Sequence, residues 1–194
     1  MDAYDLILSR RSIRQYQPKP VSHESLVRIV DAGRLAPSAA NLQPLEFVVV
    51  DDDEVRARVF PCLKWAAYIH PDGDPKPGQE PRAYVFVLVN TKVRDKMYEY
   101  DVGAAVENMI LTALGEGIGS CWLISIDRPT IQMTLGIPEH YRVDSVVALG
   151  YPAETSRVEE YVYSPKYWKD KDGGFHVPKR ELRSVTHFNG FARV

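Results

Sequence analysis

The stretch from Asp101 to Gly117, "DVGAAVENMILTALGEG", constrains this chain more than any other. Val102, Ala105, Val106, Met109, Ile110, Ala113 and Leu114 recur at helical spacing. The helix they predict is apolar nearly all round. Such a helix has no face to offer water, so it belongs at the centre of the molecule with other elements packed around it. The chain has 194 residues, 45% of them apolar, which supplies a core for one domain with room for an extended arm.

Other elements read outward from this helix. Asp2 can cap a short helix through Tyr4, Ile7 and Leu8. Ser22 is a good N-cap for a second, with Leu26, Ile29, Val30 and Leu35 on one side. "EFVVV" (46–50), "AYVFVLVN" (83–90), "GSCWLISI" (119–126) and "DSVVALG" (144–150) read as strands from their β-branched content. "DDDEVRARVF" opens a helix with acids in its first turn, where the helix dipole favours them. A short helix is expected from about Pro129 to Leu135, stopping at Gly136. The Pro-, Gly- and Asp-rich segment His70 to Arg82 is a loop. Beyond Pro152 the chain turns aromatic, charged and rich in turn residues. We expect a core over residues 1–155 and an arm over 156–194 that packs on the core or on a second subunit. Strands alternating with helices suggest, by pattern alone, a three-layer α/β protein of Rossmann type. The glycines of "GEGIG" (115–119) do not support that, because they follow a helix and precede a strand, the reverse of a phosphate-binding turn.

"RRSIRQYQPKP" (10–20) places three arginines within five residues of a chain whose formal net charge is −2. A global pull on nucleic acid or membrane is therefore not expected, and a local cluster of this kind suits a small anion. No apolar run approaches the roughly 18 residues of a membrane helix. The N-terminus has no basic region or small-residue cleavage site. Cys62 and Cys121 form no C-x-x-C pair, so a cytoplasmic protein is expected. The histidines lack zinc-site spacing.

Four stretches taken in order resemble the nitroreductase superfamily of FMN-dependent oxidoreductases. They are "SRRSIRQY", "APSAANLQPLEFVVV", "DVGAAVENMILTALGEGIGSCWLISI" and "VVALGYPAE", with "HVPKREL" a weaker fifth. The resemblance implies a different fold from the Rossmann pattern. It implies an α+β, three-layer sandwich around a mainly antiparallel sheet, built as an intertwined homodimer. The central helix would lie at the subunit interface, two FMN molecules would sit between the protomers, and the C-terminal arm would reach the partner.

Residue by residue, the resemblance places Arg10 and Ser12 near the FMN phosphate and ribityl chain. Arg11 falls where backbone and side chain both contribute, and Arg14 at the pyrimidine end of the ring. The chemistry fits. A phosphate carries about −2 charge, which guanidinium forks hold bidentately, and a fixed cation near N1 and O2 stabilises the reduced ring. The turn holding Pro37, Ser38, Ala39, Asn41 and Gln43 would approach the flavin from the partner subunit. Read without the resemblance, it is a turn whose Ser and Asn stabilise their own backbone. Trp122, Leu123, Ile124 and Ser125 match the strand end facing the ring, with the Ile124 and Ser125 backbone nearest N5. The family often has Glu-Gly where this chain has Ile-Ser. Lys64, beside Trp65, falls near the pyrimidine edge. Lys179 and Arg180 match the late phosphate-binding pair, although adjacent side chains on extended backbone point opposite ways.

The implied function is hydride transfer from NADH or NADPH through flavin N5 to an oxidised small molecule such as a nitroaromatic or quinone, in ping-pong order. No side chain is assigned as acid or base. A non-catalytic flavin-binding or redox-sensing module is the alternative from another class. Within the family, flavin-cleaving and dehalogenating members are further alternatives. The loop's Lys76 and Glu80, with nearby Tyr84, give no match to the dehalogenase lid.

Overall fold

The structure, a computed structural model, describes residues 2–191, which divide into two compact units at Ala153 and Glu154. Short polar side chains start most of the helices of the first unit. Asp2 accepts from the Asp5 amide at 2.8 Å and opens α1 (Ala3–Ser9). Ser22 accepts from the Ser25 amide at 3.1 Å and opens α2 (His23–Arg34). Asp52 accepts from the Val55 amide at 2.9 Å ahead of α3 (Asp53–Val59), and Asp127 from the Thr130 amide at 3.2 Å ahead of α5 (Arg128–Thr134). Each cap satisfies an amide that the helix itself leaves unpaired. The long helix α4 (Glu99–Gly115) has no side-chain cap, and Asp101 lies in its first turn instead.

Between the helices run β1 (Leu45–Val50), β2 (Ala83–Asn90), β3 (Gly119–Leu123) and β4 (Tyr141–Gly150). They form one sheet in the order β1-β2-β4-β3, antiparallel at every pairing. This corrects the Rossmann-type reading and agrees with the α+β sandwich. The misleading signal has a physical cause. β2 is buried on both faces and so reads as a continuous apolar run, as parallel strands do. Ala83, Val85, Val87 and Val89 pack into one cluster with Leu26 and Ile29 of α2 and Val102, Val106, Met109 and Ile110 of α4. Tyr84, on the opposite face, lies beside Arg56 of α3 and Phe60. Helices therefore cover the sheet on both sides, in three layers. The contact between α2 and α4 is close. A Cβ at Gly33 would stand 2.9 Å from Met109 Cγ.

β3 ends at Leu123, three residues before the expected Ile126. Ile124 is 57% exposed, so its apolar side chain imitates a strand signal without a sheet to bury it.

The second unit, described by itself, holds regular structure. β5 (Ser156–Glu160), β7 (Phe175–Lys179) and β6 (Trp168–Lys169) make a small sheet in that spatial order. β5 pairs parallel to β7, and β6 antiparallel to it. His176, at the centre of β7, is buried. Its Nδ1 lies 2.7 Å from Glu159 Oε1, its Nε2 lies 2.9 Å from Asp170 Oδ2, and Trp168 stacks on its ring at 4.9 Å. The hydrogen bond with His176, and then the Gly174 amide, hold the Asp170 carboxyl below its ordinary 3.8. A depressed folded-state pKa means that Asp170 supports this sheet fully above the ordinary value. The support is lost as pH falls through the lowered one. Near-ultraviolet dichroism of the stacked aromatics should show an acid transition below about pH 4. Asp170→Asn should remove it, and a transition identical in that variant would assign the acid step to another group.

Candidate functional site

After α1 the chain runs extended along the edge of the sheet. Ser12 forms a parallel bridge with Ser120 of β3, and the Ile13 amide donates to the Ser120 carbonyl at 2.8 Å. Ile13 and Gln15 point inward, while Arg10, Arg11, Ser12 and Arg14 stay half-buried. Tyr16 locks the segment. It is fully buried, its hydroxyl donates to the Ile13 carbonyl, and its ring fills the space over Gly150. A Cβ at Gly150 would stand 2.7 Å from Tyr16 Cδ1, so this crossing requires glycine. The arginines thus sit on a fixed strand beside β3.

Their charge is concentrated and incompletely matched by the protein. Arg10 Nε lies 3.7 Å from Glu107 on α4, a half-exposed pair. Arg11 donates through Nη1 to the Arg10 carbonyl, and its Nε is buried without an acceptor among the described residues. Burial, and then the neighbouring Arg10 charge, push the Arg11 guanidinium below its usual pKa. A desolvated cation beside another cation calls for an anion.

β3 ends with exposed Trp122 and buried Leu123, and the chain continues to exposed Ile124. Lys64 is brought here by backbone pairing. Its amide donates to the Ser125 carbonyl at 3.1 Å, and Leu63 bridges Ile126. The amides of Ile124 and Ser125 have no backbone acceptor among the described residues.

A second group gathers at the start of α4. The turn Pro37–Gln43 holds three non-glycine residues at positive φ: Ala40 at 53°, Asn41 at 54° and Gln43 at 51°. The Ser38 hydroxyl accepts from the Gln43 amide at 3.0 Å. Asp101, 3% exposed, accepts from the Ala39 amide at 3.1 Å and faces Arg94 at 3.6 Å. A cleft of about 160 Å³ opens there between Pro37, Ser38, Gln43 and Asp101. Asp101 and Glu107 are six residues apart, about 9 Å along α4 and about a third of a turn around it. The arginine segment and the turn therefore meet different faces of the same helix.

The model of the nitroreductase family matches residues 7–151. The chain belongs to the nitroreductase family. An Archaeoglobus fulgidus protein, under the provisional name NADH dehydrogenase/NAD(P)H nitroreductase, is 35% identical over 158 residues. The match covers 77% of this chain and 84% of that protein. A Thermus thermophilus protein named NADH dehydrogenase is 28% identical over 181 residues, covering 79% of this chain and 88% of that one. Among solved structures, the FMN-dependent nitroreductase of Clostridium difficile R20291 is 26% identical with a TM-score of 0.70, covering 96% and 98% of the two chains. A Desulfovibrio desulfuricans structure, provisionally named a nitroreductase and determined in complex with FMN, shares the fold at 23% identity. Its TM-score is 0.71, with 99% of each chain covered. Family membership makes this chain an oxidoreductase with the α+β nitroreductase sandwich.

Several positioning residues of this nitroreductase carried no sequence signal of their own. Asp101 was legible only as an acid in the first turn of an apolar helix, and Gln15 as a polar residue in an extended stretch. Lys179 ends β7 and Arg180 follows it, donating to the Ser184 carbonyl at 2.7 Å; both are exposed within the second unit. Tyr84 is 1% exposed inside β2, with its phenol pushed up by burial, so it is closed to a substrate. The Cys62 thiol is likewise raised by burial, and Cys62 and Cys121 form no disulfide. No helix of the described residues is long and apolar enough to cross a membrane, and they contain no cluster of metal-ligating side chains.

Proposed function

We propose that this nitroreductase is an FMN-dependent, NAD(P)H-oxidising enzyme that reduces a small oxidised acceptor such as a nitroaromatic or quinone. One observation carries the reading. The arginine strand and the open amides of Ile124 and Ser125 lie along the same edge, joined through β3. The residues present suit FMN. The buried Arg11 Nε without an acceptor and the crowded Arg10–Arg11 charge favour an anion, as a phosphate is.

When bound, FMN supplies reversible hydride transfer at its N5. Arg10 and Ser12 would hold its phosphate and ribityl chain, and Arg11 would add backbone and side-chain donors. Arg14 would keep a cation at the pyrimidine end, with Lys64 near the same edge. The Ile124 and Ser125 amides would donate toward N5, and Trp122 and Leu123 would pack at the ring. No side chain is required as acid or base; the protein contributes position and charge.

A homodimer belongs to the same proposal, with the Pro37, Ser38, Ala39, Asn41 and Gln43 turn serving the partner's flavin. α1 supports it. A seven-residue helix with no buried residue that exposes Tyr4, Ile7 and Leu8 is marginal on its own.

Purified protein mixed with FMN should show flavin absorption after desalting, and NADH or NADPH added anaerobically should bleach it within the turnover time. Absence of flavin bands after reconstitution sinks the reading. Bound flavin that neither nicotinamide bleaches leaves the binding module.

A further inference from the structure

β4 is irregular near the point where β3 leaves it. Its pairing with β2 slips between Ser145 and Val143, so Asp144 stands opposite no residue of β2. Its pairing with β3 ends at Val146, opposite Leu123. Successive carbonyls of a regular strand point to opposite sides, whereas a bulge turns two of them to the same side. Arg128, the first residue of α5, takes both. Its Nε donates to the Val143 carbonyl at 3.0 Å and its Nη2 to the Asp144 carbonyl at 2.7 Å. The same Nη2 donates to the Ile124 carbonyl at 3.0 Å. One guanidinium thus ties the first residue beyond β3 to the strand that β3 has just left. The helix gains nothing from this placement, because a cation in the first turn opposes the helix dipole.

The Ile124 carbonyl and the Ser125 amide belong to one peptide. That peptide is trans, so the N–H points away from the carbonyl that Arg128 holds. The following carbonyl is held as well, since Ser125 accepts from the Lys64 amide at 3.1 Å, and the Asp127 amide donates to the Cys62 carbonyl at 2.8 Å. With the carbonyls on both sides of Ser125 bonded, its amide has one direction. A carbonyl bonded to a cation also draws electron density from its peptide, which makes the N–H at the other end a stronger donor.

We infer that Arg128 is a positioning residue for the redox site: it orients and polarises the Ile124–Ser125 peptide whose N–H faces the reacting end of the ring. The role toward the ring rests on the flavin-dependent reading above; the anchoring of the peptide does not. Two measurements on the purified protein separate them. Nitrogen-15 relaxation without nicotinamide reads the order parameter of the Ser125 amide. It should be near 0.85 in the parent and fall below about 0.6 in Arg128→Ala. Anaerobic mixing of the FMN-loaded protein with NADH reads flavin reduction. Arg128→Ala should slow it about tenfold at saturating NADH, with FMN affinity and the NADH concentration for half-maximal rate within about twofold. Arg128→Lys keeps the charge and a donor without the planar fork, and should restore part of both losses. It also serves should Arg128→Ala fail to fold. An unchanged order parameter in Arg128→Ala with native circular dichroism overturns the inference. So does a mobile Ser125 amide with an unchanged reduction rate, or a loss of FMN affinity in step with the rate. Loss of order at Ser125 in a protein that takes up no flavin supports the anchor and sinks the flavin reading alone.

Discussion

Asp101→Ala should be among the most destabilising single substitutions in this nitroreductase, lowering unfolding free energy by about 3 kcal/mol. Two losses combine. The turn at Ala39–Asn41 loses the acceptor for its first amide, and Arg94, itself largely buried, loses its counter-charge. The turn holds Ala40, Asn41 and Gln43 at positive φ, each costing on the order of 1–3 kcal/mol, so it persists only because its surroundings hold it. Asp101 also lies in the first turn of α4, where the helix dipole favours a negative charge. Urea unfolding should show a lower midpoint. Hydrogen exchange should quicken at Ala39 and Gln43 before the core opens. Asp101→Asn keeps an acceptor for Ala39 without the charge, and should lose about half as much. A midpoint unchanged in both variants would show that the turn holds itself and that Asp101 is incidental.

That residue marks the boundary of what the sequence disclosed. The helices were legible because their evidence is local. Asp2 and Ser22 announce helix starts, and the spacing of Val102, Val106 and Met109 marks α4 as a buried helix. Sheet pairing was not legible, since an apolar run such as Ala83–Asn90 states that both faces are covered without stating which strand lies alongside. The small sheet of the second unit was hidden by Pro178. A proline argues against a central strand, yet β6 pairs β7 only at Phe175 and His176, so Pro178 stands on what is locally an edge.

The candidate site divides in the same way. The arginine cluster stood out because charge of that density is unusual in a nearly neutral chain. Gln15 did not, because its two partners are backbone atoms of Asp74 and Lys76, 59 and 61 residues away. Hydrogen bonds to distant backbone leave no pattern in side-chain chemistry. The Ile124 and Ser125 amides were reached only through the family resemblance, being a property of where β3 stops rather than of which residues stand there.

The three arginines should respond differently to removal, on the flavin-dependent reading. Arg10→Ala should weaken FMN binding about 10- to 100-fold, the worth of one charge-assisted contact to phosphate. Its pairing with Glu107 does not offset this, because a half-exposed pair at 3.7 Å contributes little. Glu107→Gln should accordingly leave affinity within about twofold. Arg14→Ala should weaken binding less and lower the two-electron potential, because it removes a cation that favours the reduced, more negative ring. Each 1.4 kcal/mol of that preference corresponds to about 30 mV. Arg11 is held by its own contact to the Arg10 carbonyl and already depressed by burial, so Arg11→Ala also releases a desolvated charge and some folding cost with it. Fluorescence titration with FMN and a redox titration of the bound flavin separate these outcomes. Full affinity and an unchanged potential in both Arg10→Ala and Arg14→Ala would make the cluster a solvated face. Loss of affinity in both with an unchanged potential would move Arg14 from the ring to the phosphate.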